Sequence, residues 1–239
     1  MKDTKRQIVW VTGANVGIGR AIAEVFAKAG HLVICSARRK AKLESVAANI
    51  RKNGGNAEAI VCDIAKESDV KRTVKKILKD HGRIDALINN AGVTEFKSFA
   101  DSTVKDFDNI MSVNLRGSYM CIKEVLPGML KRKDGQIINI LSVAAITTFE
   151  NSSLYAASKA GLKAMSEGLR KEVRGNNIKV INIMPGATVT DMWDKDFLKD
   201  NFKRMMTSED IGWLTLDVFN QPKALVTEDI VVRPIKGDV

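Results

Sequence analysis

Residues 7–19 read Gln7-Ile8-Val9-Trp10-Val11-Thr12-Gly13-Ala14-Asn15-Val16-Gly17-Ile18-Gly19. A β-branched apolar run (7–11) enters a glycine-rich turn, and an amphipathic helical pattern follows at about 18–29. Glycines here permit a tight turn, close approach of backbone to a pyrophosphate, and close strand–helix packing. The helix start then offers free N–H groups and a positive dipole end to phosphate. The spacing, Gly-x-x-x-Gly-x-Gly, is one residue longer than the Gly-x-Gly-x-x-Gly fingerprint. Placed between a first strand and a first helix, it points to a bound dinucleotide around Gly13, Asn15, Gly17, Ile18 and Gly19.

The same alternation continues outward from this turn. Strand-like runs occur at 7–11, 32–36, 57–61, 86–88, 136–140, 178–183 and 229–232. Helical patterns lie between them at roughly 18–29, 40–52, 67–80, 104–130, 153–174 and 208–219. Alternating strand and helix implies parallel strands joined by right-handed crossovers. The strands are nearly continuous apolar runs, as expected where both faces are covered. The expected fold is α/β: a Rossmann-type doubly wound parallel sheet of about seven strands with helices on both faces. Residues 1–239 read as one dinucleotide-binding and catalytic domain, without a repeat or linker. The stretch 186–207 breaks the rhythm, with Met192, Trp193, Phe197, Phe202, Met205 and Met206 set among charges. Two readings stand for it: a substrate flap over the site, or a helical excursion packed on the core.

Composition narrows the class. The chain has 239 residues, 45% hydrophobic and 28% charged, as in globular proteins and unlike membrane or disordered ones. No apolar run reaches the roughly 18–20 residues of a membrane span. The N-terminus passes from charge straight into a strand, so no signal peptide is expected. Cys35, Cys62 and Cys121 form no disulfide framework and suit a reducing, cytoplasmic setting. Two histidines, His31 and His81, give no zinc-ligand cluster, so no metal is expected. The formal charge of +10 raises the question of nucleic acid. Its lysines and arginines, as in VKRTVKKILKD (70–80), fall at helical spacing and read as solvated faces. No nucleic-acid partner is expected.

The end of the second strand selects the cofactor. A free ribose 2′-hydroxyl is usually met there by an acid. This chain has Cys35-Ser36-Ala37-Arg38-Arg39 instead. A guanidinium suits a 2′-phosphate in geometry and charge, so Arg38 and Arg39 predict NADP(H).

The proton chemistry is read from Tyr155 and Lys159 in YAASKAG, thirteen residues after Ser142. Residues i and i+4 are stacked neighbours on a helix. An ammonium there is expected to lower the phenol pKa from about 10 and let the tyrosine exchange a proton near neutrality.

With these residues in place the chain resembles the short-chain dehydrogenase/reductase family, in its compact one-domain branch, over nearly its whole length. The turn at 12–19 resembles that family's cofactor motif. Asp63, followed by Ile64 in VCDI, matches the acid that touches the adenine. Asn89-Asn90-Ala91-Gly92 matches the family's Asn-Asn-Ala-Gly segment, and Asn114 in VNLRG its helix-borne asparagine. Ser142, Tyr155 and Lys159 match its catalytic residues in order and spacing. Pro185-Gly186, with Thr190, matches the turn at the nicotinamide. The turn interior, Ala14-Asn15-Val16, departs from NADP-preferring members that carry a basic residue there.

The resemblance implies hydride transfer between nicotinamide and a carbonyl or alcohol carbon. Tyr155 is the implied general acid/base and a cofactor contact, Ser142 the hydrogen-bond donor to the same oxygen, and Lys159 the group that tunes the tyrosine and holds the cofactor's ribose. Asn114 is the implied anchor of a water in the proton path. A small carbonyl or alcohol substrate is implied, bounded by 143–154 and 186–207; the apolar walls suit a medium or bulky apolar one. One alternative is a 3-oxoacyl-carrier-protein reductase, which PGATVTDM resembles, with Lys131, Arg132 and Arg174 as a basic rim for an acyl carrier protein or as ordinary helix-end cations. Against it, EDIVVRPIKGD is similar to members acting on hydroxy acids and small alcohols. A lesser alternative is an inert NADP-binding sensor on the same fold. The resemblance also implies a homodimer or homotetramer through helices 104–130 and 153–174. The chain ends soon after its last strand, so no long C-terminal lid is expected.

Overall fold

The computed structural model describes residues 6–237. The charged start at 1–5, used above to argue against a signal peptide, lies outside them, as do residues 238–239. Seven strands are present: β1 (Ile8–Thr12), β2 (Leu32–Ala37), β3 (Asn56–Val61), β4 (Ala86–Asn89), β5 (Gly135–Ile140), β6 (Ile178–Pro185) and β7 (Asp229–Val232). They form one sheet in the order β3-β2-β1-β4-β5-β6-β7, every pair parallel. The strand order reverses between β1 and β4, and ligands of open α/β sheets bind outside the strand ends at such a switch point.

Alternate strand residues feed two cores. Val9, Val11, Val33, Ile88 and Ile181 face helices α1 (Gly17–Lys28), α2 (Lys40–Lys52) and α8 (Ser208–Phe219), where Phe26, Leu43 and Phe219 are buried. Trp10, Ile34, Leu87, Ile137 and Val180 face α3 (Glu67–His81), α5 (Ser118–Arg132) and α6 (Ser153–Val173), meeting Val74, Ile77 and Val125. Burial on both faces is why β1 and β2 are apolar except for Thr12 and Ser36. The basic stretch at 70–80 is a solvated helix face: α3 buries Val70, Thr73, Val74 and Ile77. Its Lys71, Arg72 and Lys76 pair with acids of the same helix. Among the described residues, no helix is long and apolar enough to cross a membrane.

One expectation is corrected. The helix predicted over 104–130 is α4 (Val104–Met111), a π-helical segment at Ser112–Gly117, and α5. The π segment carries Asn114, and single π turns recur at functional sites. Lys131, Arg132 and Arg174, read above as a basic rim or as ordinary helix-end cations, do not line the cleft. Arg132 donates to the carbonyl of Ile84 at 2.6 Å, just before β4, and Arg174 pairs with Glu228, just before β7. These are the entry ends of the strands, whereas the cleft lies at their exits. Lys131 and Arg132 occupy the last turn of α5, where cations complement the dipole.

A row of buried amides crosses half the sheet. Asn89, Asn139, Asn182 and Asp229 are in register on β4, β5, β6 and β7. Asn89 Nδ2 donates to Asn139 Oδ1 (2.9 Å), Asn139 Nδ2 to Asn182 Oδ1 (3.1 Å), and Asn182 Nδ2 to Asp229 Oδ1 (2.8 Å). Arg170 of α6 closes the row by donating to Asp229 Oδ1 at 3.1 Å.

Candidate active site

The exits of the strands border a cleft of about 750 Å³, within the roughly 300–1,000 Å³ of small-molecule sites. Gly13, Asn15, Gly17, Ile18 and Gly19 line it from the first turn, and Arg38 and Arg39 from the end of β2. Asp63 and Ile64 follow from β3, Asn90, Ala91 and Gly92 from β4, and Pro185, Gly186 and Thr190 from β6. Ser142, Tyr155 and Lys159 complete the wall, while Asn114 is buried behind it.

The glycine turn is locked to β4. Thr12 Oγ1 accepts from the backbone N–H of Asn90 (3.0 Å) and of Ala91 (3.1 Å). Asn90 Nδ2 donates to the carbonyl of Thr12 at 3.0 Å. Gly13 has φ +67°, and a Cβ at Gly19 would stand 2.2 Å from Asn90 Nδ2 and 2.5 Å from the Gly13 oxygen. Only glycine fits there. The residue before helix α1, Val16, has a side chain that caps nothing, and no acid lies in the first turn. Arg39 precedes helix α2 on the same terms. Both starts therefore keep free N–H donors and an unopposed positive dipole end at the cleft. A donor set of this kind fits the phosphates of a dinucleotide.

The opposite wall holds Ser142, Tyr155 and Lys159. Lys159 is buried and its Nζ donates to the carbonyl of Ile140 at 3.0 Å. The ammonium lies 5.6 Å from the centroid of the Tyr155 ring. Ser142 caps a short turn by accepting from Ala144 N–H at 3.1 Å, and also hydrogen-bonds the Tyr155 phenol. Burial pushes the phenol up to about 12, against the Ser142 hydrogen bond that lowers it. Burial pulls Lys159 down to about 8. This corrects the expectation of a phenol held below 10 by its lysine. Desolvation acts on both groups in one wall and disfavours each charged form. The lysine donates to Ile140 and faces the Tyr155 ring rather than the phenol oxygen.

Asn114 clamps the loop after β4. Its Oδ1 accepts from Val93 N–H (2.8 Å), and its Nδ2 donates to the Val93 carbonyl (2.9 Å) and to Ser158 Oγ (2.9 Å). A Cβ at Gly92 would reach 3.4 Å from Asn114 Oδ1 and 3.5 Å from Lys159 Nζ, so Gly92 keeps the space between them open.

The excursion at 186–207 borders another part of the cleft. Its two limbs are pinned by Val189 N–H to Met206 O (2.9 Å) and Met206 N–H to Ala187 O (3.0 Å). Between them Asp194 caps a short helix, α7 (Lys195–Asn201). The excursion is helical at Lys195–Asn201, and Gly186, Thr190, Met192, Trp193 and Phe197 of it line the cleft. Trp193 stacks on Phe197 at 4.6 Å and on Phe96 at 5.8 Å between centroids, with interplanar angles of 12° and 15°. Its Nε1 donates to the Thr188 carbonyl at 2.9 Å. Sequence reading placed Trp193 and Phe197 in the flap and missed Phe96, on the loop after β4. Only the loop's closeness to Gly92 hinted at it.

Comparison with known proteins agrees with this geometry. The family model described as short chain dehydrogenase matches residues 7–201. A sepiapterin reductase of Chlorobaculum tepidum is 36% identical over 242 residues, covering 98% of both chains. A 3-oxoacyl-[acyl-carrier-protein] reductase of Thermotoga maritima is 34% identical over 189 residues, covering 79% of this chain and 77% of its own. A metagenomic short-chain oxidoreductase, solved in complex with NADP, superposes with a TM-score of 0.85 at 30% identity, covering 95% of this chain and 96% of its own. Family model, relatives and fold converge, and the chain belongs to the short-chain dehydrogenase/reductase family of oxidoreductases.

Proposed function

We propose that the protein is an NADP(H)-dependent reductase of a carbonyl carried beside a flat aromatic ring system, with the alcohol oxidised in the reverse direction. The observation that carries this reading is the meeting of two walls in one cleft. Ser142, Tyr155 and Lys159 line one part, and the stacked Phe96, Trp193 and Phe197 line another. When bound, the nicotinamide supplies or accepts the hydride. Tyr155 gives its proton to the carbonyl oxygen, and Ser142 donates a hydrogen bond to the same oxygen as charge develops there. Lys159, cationic at neutral pH and over the Tyr155 ring, stabilises the phenolate left behind. Asn114, buried behind this wall and held by Val93 and Ser158, would anchor through a remaining oxygen lone pair a water linking Lys159 to solvent.

Arg38 and Arg39 beside the uncapped start of α2 support NADP(H) over NAD(H). Arg38→Asp is expected to raise the KM for NADPH roughly tenfold or more, and that for NADH far less. Equal changes sink the cofactor assignment. The aromatic wall and the sepiapterin reductase relative favour a ketone on a planar ring over an acyl thioester. Arg132 and Arg174 are engaged at the strand entries, away from the cleft, which gives the carrier-protein reading less support. The inert-sensor reading has no support, since all four residues matching the family's reactive set are present.

A homodimer or homotetramer through α4–α5 and α6 belongs to the same proposal. Val104, Phe107 and Tyr119 leave apolar surface exposed on the first of these elements. The three buried free thiols suit the cytoplasm. The deciding experiment is NADPH consumption against sepiapterin, simple aryl ketones, aliphatic ketones and a 3-oxoacyl thioester. Turnover of the ring-bearing ketones is expected to lead, and turnover confined to the thioester would overturn the substrate assignment.

A further inference from the structure

We infer that Asn15 is a cofactor-selecting residue that acts by positioning Arg39 for the 2′-phosphate. The inference rests on the NADP(H) reading above and deepens it. The glycine turn carries no cation of its own, for its interior is Ala14-Asn15-Val16. The structure brings one in. With its amide oxygen turned toward α2, Asn15 accepts from both Arg39 Nε (3.0 Å) and Arg39 Nη2 (3.1 Å). The turn thus borrows its basic residue from the end of β2.

The asymmetry of burial gives the contact its direction. Asn15 is buried, 8% exposed, in a turn already locked to β4, whereas Arg39 is an exposed side chain at the start of a helix. The fixed partner orients the free one. An unrestrained arginine gives up rotamer entropy when it grips an anion, and a side chain held beforehand has already lost it. A guanidinium bound along one edge keeps its remaining N–H donors for a second partner in the same plane. Both residues line the cleft, so that free edge lies where the ribose end of the cofactor would be held. Arg38, also on the cleft, has no such anchor and contributes charge without the fixed plane. The selectivity is therefore shared between β2, which supplies the cation, and the glycine turn, which aims it.

The test uses the intact protein and two fragments of the cofactor, 2′,5′-ADP and 5′-AMP, with affinities read by calorimetry. The unmodified protein is expected to bind 2′,5′-ADP at least tenfold more tightly. Equal binding would overturn the NADP(H) reading and this inference with it. Asn15→Ala is expected to cut that preference roughly fivefold while leaving 5′-AMP affinity in place. Arg39→Ala should cut it at least as far, and adding Asn15→Ala to it should change nothing further. If the preference survives in Asn15→Ala, or if the two losses add in full, Asn15 does not act through Arg39. An equal loss of both fragments would mark a role in turn shape alone and overturn the inference too. Asn15→Ser, which keeps an acceptor within a smaller side chain, is expected to fall between the unmodified protein and Asn15→Ala; a preference below that of Asn15→Ala counts against it.

Discussion

The two ends of the cleft are built differently. The phosphate end is made of backbone: uncapped helix starts, glycines that tolerate no Cβ, and Thr12 and Asn90 stapling β1 to β4. The substrate end is made of side chains on three loops, Phe96 after β4, Phe149 before α6, and Trp193 and Phe197 within 186–207. A backbone site tolerates little local change, because its donors cannot be moved without moving the fold. A side-chain site can be rebuilt residue by residue. Fold-mates can therefore share a cofactor and differ in substrate.

Substitutions at the two ends test this contrast, and the largest effect is expected where they meet. Tyr155→Phe keeps the ring and removes the proton, and should lower kcat for carbonyl reduction roughly 100- to 10,000-fold with NADPH affinity unchanged. Unchanged turnover would refute the acid/base assignment. Next comes Lys159, whose folded pKa of about 8 lies below the ordinary 10.5. Between these values the unfolded chain binds the extra proton, so stability rises with pH across that window. Relative to Lys159→Met, the unmodified protein should gain on the order of 3 kcal/mol from pH 8 to 10.5 in chemical denaturation. A flat difference would mean the lysine is not desolvated.

Gly19→Ala strikes the backbone end, where the new Cβ meets Asn90 Nδ2 and the Gly13 oxygen. It should cost about 1–3 kcal/mol of stability and lower dinucleotide affinity, read by thermal unfolding with and without NADPH. Trp193→Ala strikes the side-chain end and should be mildest. The KM for the aromatic ketone should rise roughly 2- to 10-fold while the KM for NADPH holds. If Trp193→Ala disturbed NADPH as much as the ketone, the division of the cleft into two ends would fail.

The same contrast explains what could be read from the chain alone. Alternating apolar runs and helical patterns announced the parallel sheet, because burial on both faces leaves that imprint on the central strands. The glycine turn was legible because its residue types follow from backbone geometry. The aromatic wall was only half legible. Nothing periodic relates Phe96 to Trp193, and their stacking depends on two loops returning to one place. The electrostatics of Tyr155 and Lys159 were misjudged for a related reason: spacing shows proximity along a helix, while desolvation depends on everything packed around it. Asn89, Asn139 and Asn182 carried a signal that went unused. Each is a polar residue inside an apolar strand (ALIN, IINI, VINI), and a buried amide implies a partner.

That row of amides bears on how the sheet avoids mispairing. Apolar parallel strands offer many nearly equivalent alignments, since one valine or isoleucine packs much like the next. A strand displaced by one residue would turn its asparagine to the other face. Displaced by two, it would set the amide against an aliphatic neighbour. Either error buries unpaired donors and acceptors at a cost of about 1–3 kcal/mol for each group. Four strands are keyed together in this way, and Asp229, able only to accept when ionised, also fixes which way every amide in the row must face. The row works as a proofreading mark for strand alignment, and its last member, Asn89, adjoins the loop whose position the cofactor cleft depends on.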